Sequence, residues 1–450
     1  MAQADRHKSA IGDHACNAAY GVLDYLTYPL GMLIVAPAAV RTLGIGQYGV
    51  WAFACAAVST GSIIASGFGD ANIRLVATSR AGDPDNLAGA VRSTMGIHLM
   101  LGAAIMLISF LVAPTAATHL APSDAGLRFQ CQVSLYLAGV LMLARAIESV
   151  CISTQRGFER YGDAVRISVA GRVLTLAAVA ILPLAKLGVV SVMVATVVVT
   201  AVSLRLQVVR LKGLLHLESL WPSFDHSATR VLIGFGFFTW IQAVAGLLFG
   251  QIDRLITGVS LGAAAVASYA LCVQMAQPIY GLAASGLHFL FPYLSVRREG
   301  NSATALRRTI LVAFGANLFV VTACSALLFI FGGALLRFLG GDAISRIGTP
   351  NLPLIIVSTA LPALSVTGSY ALLALGRVRA VTLFTLAGGA LMMLVIPFLL
   401  PRYGMYGMAL ARMFYGPITL LVYIPLAAEL MRNARTASHV KTPTALLEEA

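Results

Sequence analysis

The chain has 450 residues, of which 58% are hydrophobic and only 11% charged, with a mean hydropathy of +0.85. A soluble protein carries about 25% charged residues, so this composition excludes a soluble globular fold and points to an all-α polytopic membrane protein. The net charge of +13 is spread loop by loop instead of gathered in one patch, which argues against a nucleic-acid surface and matches the positive-inside pattern.

Runs of about 20 apolar residues, the length that crosses a bilayer core, predict about twelve spans. They cover 18–40, 47–66, 91–113, 129–153, 167–186, 188–207, 231–257, 262–294, 307–332, 351–375, 380–400 and 404–427. The first contains Asp24 and Pro29 and continues too far for a signal-peptide core. The eighth exceeds one straight crossing and is expected to project beyond the bilayer or bend at Pro278. Most Lys and Arg fall in alternate connections, such as Arg205, Arg210 and Lys212 or Arg307 and Arg308. The opposite connections hold single residues such as Arg41, Arg128 and Lys186. Both termini are therefore expected in the cytoplasm. The longest connection, 207–230, contains LKGLLHLESLWPSF, which predicts a short interfacial helix through Leu211, Leu214, Leu215 and Leu217. The tail after Glu429 is polar and expected to be disordered. Six cysteines lie scattered in apolar runs with no CxxC or Cys/His spacing, as small buried residues do, and no metal or other cofactor is called for.

The two halves repeat. After the first span the chain reads LGIGQYGVWAF and then ASGFGDANIRLVATSR; after the seventh it reads LGAAAVASYALC and then ASGLHFLFPYLSVRR. Leu43-Gly44 and Tyr48 thus fall against Leu261-Gly262 and Tyr269. Six spans repeated in one orientation are a transporter signature, with a cavity expected between the halves. The expected division is an N-terminal lobe over 1–210, a linker over 211–230, a C-terminal lobe over 231–430 and a tail over 431–450.

The stretch Trp240–Tyr269, WIQAVAGLLFGQIDRLITGVSLGAAAVASY, resembles the start of the second half of polysaccharide flippases. These belong to the multidrug/oligosaccharidyl-lipid/polysaccharide exporter superfamily, whose pattern here runs through Phe249, Asp253, Arg254, Gly258, Leu261, Gly262, Val266 and Tyr269. Phe249 stands one place off the family spacing. LGIGQYGVWAF, GFGDANIRLVA and QRGFERYGDAVRISVAGRVL resemble further family motifs in the same order, so the resemblance spans nearly the whole chain. It implies a fold like that of the multidrug (MATE) exporters. It also implies transport of a polyprenyl-diphosphate-linked oligosaccharide across the bacterial inner membrane, by alternating access, for surface polysaccharides such as O-antigen or exopolysaccharide. The implied partners are that cargo, membrane lipids, and a polysaccharide polymerase with its export machinery. Twelve spans argue against the fourteen-span peptidoglycan-precursor branch, and Arg412 in the last span departs from the family pattern.

Ionisable groups inside spans mark the candidate site. Asp24, ringed by tyrosines near mid-membrane, suits ion coupling, or a structural pair with an arginine of a neighbouring helix. Arg145 and Glu148 share one helix face and either neutralise each other or meet substrate. Arg412, with no carboxylate within a turn, is the leading phosphate contact, because a guanidinium fork fits phosphate oxygens; a pair with Asp253 or Asp24 is the alternative. Asp253 and Arg254 form either part of the substrate site or a neutral pair at the membrane boundary. Gln242, Gln274 and Gln277 would hydrogen-bond sugar or a neighbouring helix. Arg74, Arg80, Arg297 and Arg298 would greet cargo at the cytoplasmic entrance or simply set topology. No HExxH, Walker-A or GxSxG motif occurs, so an enzyme is not expected. Two rival readings stand: a cation-coupled drug exporter of the same superfamily, and a membrane polysaccharide polymerase or ligase.

Overall fold

The computed structural model describes residues 2–79, 84–217, 219–287 and 303–440. Among the described residues there is no strand, and helices joined by short turns account for nearly all of them. Helix α1 (Ala2–Ser66) carries the first two expected spans, and α2 (Gly69–Ser79) follows the second. Helices α3 (Pro84–Leu120), α4 (Ala125–Gly157), α5 (Tyr161–Ile181) and α6 (Val189–Leu215) form the next four. The seventh expected span is not one helix. It breaks at Gln251 into α7 (His226–Gly250) and α8 (Ile252–Leu261). Helix α9 (Ala263–Gly286) takes Pro278 within a continuous helix. Then come α10 (Ala303–Gly348), a 3-10 turn (Thr349–Asn351), α11 (Leu352–Ala374), α12 (Val378–Met413), α13 (Tyr415–Leu420) and α14 (Tyr423–Val440).

Seven continuous helical stretches among the described residues are long and apolar enough to cross a membrane. Three of them, at 49, 69 and 55 residues, are too long for one crossing, since roughly 20 residues of helix span 30 Å. Two expectations for the polar ends change. No separate interfacial helix forms over 211–217, because α6 continues to Leu215 with Leu211 fully buried, and His216 ends it in the left-handed conformation. The chain after Glu429 stays helical to Val440.

Two matched glycines make matched turns. Gly44 interrupts α1 at φ 74°, ψ 167°, and Gly262 ends α8 at φ 83°, ψ −179°. Both follow a leucine at the corresponding place in the sequence repeat, and only glycine takes this conformation at little cost. Tyr48 and Tyr269, the tyrosines that follow, are both fully buried.

The chain divides into two compact units. The first comprises Met1–Ala270 with Arg337–Ser345, and the second Leu271–Leu336 with Arg346–Ala450. In the first, α4 packs against α1, α2, α3 and α6, and α5 packs against α1 and α6. In the second, α11 packs against α12 and α13. Large apolar side chains such as Leu111, Phe319 and Ile330 point outward, while Asn72, His98, Gln155, Gln207 and Asn317 lie buried. That inversion suits a surface solvated by lipid tails.

One contact in the first unit leaves no room for a side chain. A Cβ at Gly49 would stand 2.0 Å from the Ala263 carbonyl oxygen, whereas nothing lies within 4 Å of a Cβ at Gly213. Gly49→Ala is therefore expected to lower the thermal unfolding midpoint in detergent, by roughly 1–3 kcal/mol of overpacking strain. Gly213→Ala, in the same assay, should be neutral or stabilising by up to about 1 kcal/mol.

Candidate functional site

The site begins with helix periodicity. On α4, Leu141, Arg145, Glu148, Ser149, Ile152 and Arg156 recur at three- and four-residue intervals, so they share one face. On α5 the corresponding face carries Tyr161, Val165, Ser168, Arg172 and Thr175. These two faces meet Trp51, Cys55, Val58, Ser62, Ile63 and Ser66 from α1 and Met193, Thr196, Thr200 and Ser203 from α6 around a shared cavity in the first unit.

The cavity has two adjoining chambers that share Ser62, Arg145, Arg156, Arg172 and Thr175 in their walls. One, of about 280 Å³, is lined by those arginines, Glu148 and a shelf of hydroxyls: Ser66, Ser149, Ser168, Thr200 and Ser203. The other, of about 800 Å³, is mainly apolar, walled by Trp51, Val58, Ile63, Leu141, Val165 and Met193, with Gln251 at the α7–α8 break. A third space of about 240 Å³ continues from the polar chamber past Ser149 and Arg156 to Asp70 and Gly67. The guanidinium groups thus stand where an apolar space gives way to a hydroxyl-lined one. Nε of Arg145 is buried and has no hydrogen-bond partner among the described residues.

Polar contacts behind α4 hold this face inward. Asn72 of α2 donates to Ser153 Oγ at 2.7 Å and Thr154 Oγ1 at 2.9 Å, and accepts from Thr94 of α3 at 3.1 Å. Gln155 donates to Gln207 Oε1 of α6 at 2.6 Å, and Gln207 donates to the Ala164 carbonyl of α5 at 3.1 Å. The His98 ring of α3 lies 3.0 Å from the Ala146 carbonyl. Each buried amide that finds such a partner avoids a desolvation cost of about 1–3 kcal/mol. At the end of α1, Trp240 of α7 donates its indole N–H to the Ile64 carbonyl at 2.9 Å.

Of the residues singled out in the sequence, Arg145 and Glu148 line the polar chamber. Arg156 and Arg172, which are not among the sequence-derived candidates, join them. For Arg156 the reason is helix length, since α4 runs past the expected end at 153 to Gly157; Arg172 falls within the expected fifth span, and α5 itself starts at Tyr161 instead of 167. The recurrence of Tyr161, Val165, Ser168, Arg172 and Thr175 was the available signal. Arg412 is 3% exposed in the last turn of α12, in the second unit, and feels Tyr415 electrostatically. Gln274 and Gln277 are half-buried on α9, also in the second unit, and Arg74 is exposed on α2. The side chains of Asp24 and Gln242, and residues Arg80, Arg297 and Arg298, lie outside the described ones.

Asp253 is fully buried in the first turn of α8. Tyr269 donates to its Oδ2 at 2.6 Å, and the Arg254 backbone N–H donates to its Oδ1 at 2.8 Å. A carboxylate there also meets the positive end of the helix dipole. Arg254 approaches Gln251 Oε1 at 3.4 Å. Neither Asp253 nor Arg254 is among the residues lining the three spaces. Tyr269→Phe, which removes this hydrogen bond to a buried carboxylate, should cost about 1–3 kcal/mol, read as a lowered unfolding midpoint of the purified protein.

The model of a family described as polysaccharide biosynthesis protein matches residues 18–296, a stretch containing every residue that lines the three spaces. No curated protein matches the sequence. An inward-facing multidrug resistance MATE family transporter of the MOP superfamily is similar in structure, with a TM-score of 0.69 and 14% identity over 91% of this chain and 99% of its own. The lipid II flippase MurJ in an inward closed conformation gives a TM-score of 0.72 and 12% identity over 92% of this chain and 90% of its own. The MATE multidrug transporter DinF-BH, in complex with R6G, gives 0.62 and 14% over 93% and 96%. At such identities the likeness is one of fold. With more than half of its length matched by the family model, the chain belongs to the polysaccharide biosynthesis protein family, in the fold of the MOP-superfamily transporters.

Proposed function

We propose that this protein is a flippase that carries a polyprenyl-diphosphate-linked oligosaccharide from the cytoplasmic to the outer face of the bacterial inner membrane. The observation that carries the reading is the order of surfaces in the cavity: apolar wall, three arginines, hydroxyl shelf. A lipid-linked sugar has the same order, with an isoprenoid tail, a diphosphate and a polyhydroxylated sugar. Guanidinium forks bind phosphate oxygens in pairs and stay charged in low dielectric. Ser and Thr hydroxyls replace the water that the sugar loses.

In this reading Arg145, Arg156 and Arg172 hold the diphosphate, and both termini face the cytoplasm. Arg156 then sits at the cytoplasmic end of α4, where cargo enters, and Arg172 midway along α5. Alternating access moves the bound headgroup to the other face. Arg412 remains a candidate second phosphate contact and Asp24 a candidate coupling group. A polymerase and export machinery would receive the product. A cation-coupled drug exporter fits less well, since three of the four charged groups that line the polar chamber among the described residues are cationic.

The test is complementation of a strain lacking the gene, with lipid-linked repeat units quantified on each membrane face. The wild type should restore surface polymer, and Arg145→Ala combined with Arg172→Ala should leave intact units on the cytoplasmic face. Each arginine is expected to contribute about 2 kcal/mol, or roughly thirtyfold in affinity for the diphosphate. Normal polymer in the deletion strain, with new sensitivity to cationic dyes, would replace this reading with the drug exporter.

A further inference from the structure

Glu148 is at odds with a cavity that only needs to hold an anion. It lines the polar chamber together with Arg145, Arg156 and Arg172, one turn from Arg145 and beside Ser149 on the inward face of α4. A carboxylate there repels any phosphate that enters, and an acidic group within a membrane helix is costly to keep. Whatever contact it makes within the protein, a carboxylate at this place bears directly on which anion the chamber accepts.

Charge and hydrogen bonding together set that choice. With Glu148 ionised, the three guanidinium groups and one carboxylate among the described residues lining the chamber leave two net positive charges. A diphosphate esterified at both ends, lipid on one side and sugar on the other, carries two negative charges and neutralises it. A bare lipid diphosphate ends in a terminal phosphate whose further ionisation lies near pH 6, so at neutral pH it brings a third charge. Among those described groups that charge has no cationic counterpart left, and it faces the carboxylate instead. The sugar reverses the sign of the contact, because its hydroxyls donate to Glu148 while the neighbouring Ser and Thr side chains complete the network.

We infer that Glu148 is a specificity-determining residue, making the cavity select a lipid diphosphate that already bears its sugar over the bare lipid diphosphate. The inference rests on the cargo reading above and deepens it. Loaded and discharged carriers share their tail and their diphosphate, so only the terminal charge and the sugar tell them apart. One side chain reads both.

The experiment titrates the purified full-length protein at pH 7.5 with three ligands on one polyprenyl tail: bare diphosphate, methyl-capped diphosphate and monosaccharide-capped diphosphate. The wild type should bind both capped forms at least about tenfold more tightly than the bare form, the effect of one unmatched charge in a partly screened site. In Glu148→Gln that preference should collapse, chiefly through tighter binding of the bare form, and Glu148→Asp should retain it. Equal binding of bare and methyl-capped lipids by the wild type overturns the inference without recourse to any variant. So does an unchanged preference in a folded, monodisperse Glu148→Gln protein. If none of the three diphosphates binds the wild type more tightly than the uncharged polyprenol, the cargo reading itself fails and the inference goes with it.

Discussion

A helix surrounded by lipid has no apolar gradient to tell it which face to turn inward, because acyl chains are as apolar as leucine. The rotation of α4 must come from polar contacts, and the cavity depends on it. Asn72 reaches Ser153 and Thr154 from α2, Gln207 holds Gln155 from α6, and the His98 ring of α3 meets the Ala146 carbonyl. Those residues occupy the back and flanks of the helix. What remains for the front is the face running from Leu141 through Arg145, Glu148 and Ser149 to Arg156. A rotation of one residue, about 100°, would break the buried amide contacts and turn arginines from the cavity into packed helix interfaces, where an uncompensated buried charge costs about 3–5 kcal/mol.

The same contacts explain how so many cationic groups persist within a membrane domain. Arg145, Arg156 and Arg172 converge on one cavity whose other walls carry hydroxyls, so each guanidinium has polar neighbours and space for water or ligand. The apolar chamber beside them lowers the local dielectric and strengthens their attraction for an anion. By contrast, the Asp253 carboxylate, more deeply buried, is satisfied by Tyr269 and by a backbone N–H at the start of α8. The two acidic positions thus divide by surroundings. Asp253 is enclosed by its own helix start and a tyrosine, and Glu148 opens onto the cavity.

Much of the membrane architecture was legible in the chain. Apolar run length located most helices, and the Leu-Gly repeat marked two turns whose glycines share nearly the same positive-φ geometry. The candidate site was legible only in part. Arg145 and Glu148 stood out because they interrupt an apolar run, whereas Arg156 lies just beyond the end of that run and Arg172 near the start of the next, where basic residues set topology. A hydropathy count ends a span where polarity rises, but a helix lined by a polar cavity has no such end. The polar residues of ISTQRG and of YGDAVRIS continue α4 and begin α5. The break at Gln251 was likewise hidden, since Gly250 and Gln251 sit in a run of helix-length hydropathy with no proline.

By itself, the sequence determined that this protein is helical, crosses a membrane repeatedly, and bears ionisable groups at depth. Each of these follows from local composition, because a bilayer demands long apolar runs and internally hydrogen-bonded backbone. Only the tertiary structure decided which charges meet. Arg145 lies 27 residues before Arg172 in the chain, and Ser62 lies far from Ser203, yet all four line one chamber. That convergence follows from how α1, α4, α5 and α6 turn about their axes, and the turning is set by buried amide and hydroxyl contacts between helices, which no single stretch of the chain contains.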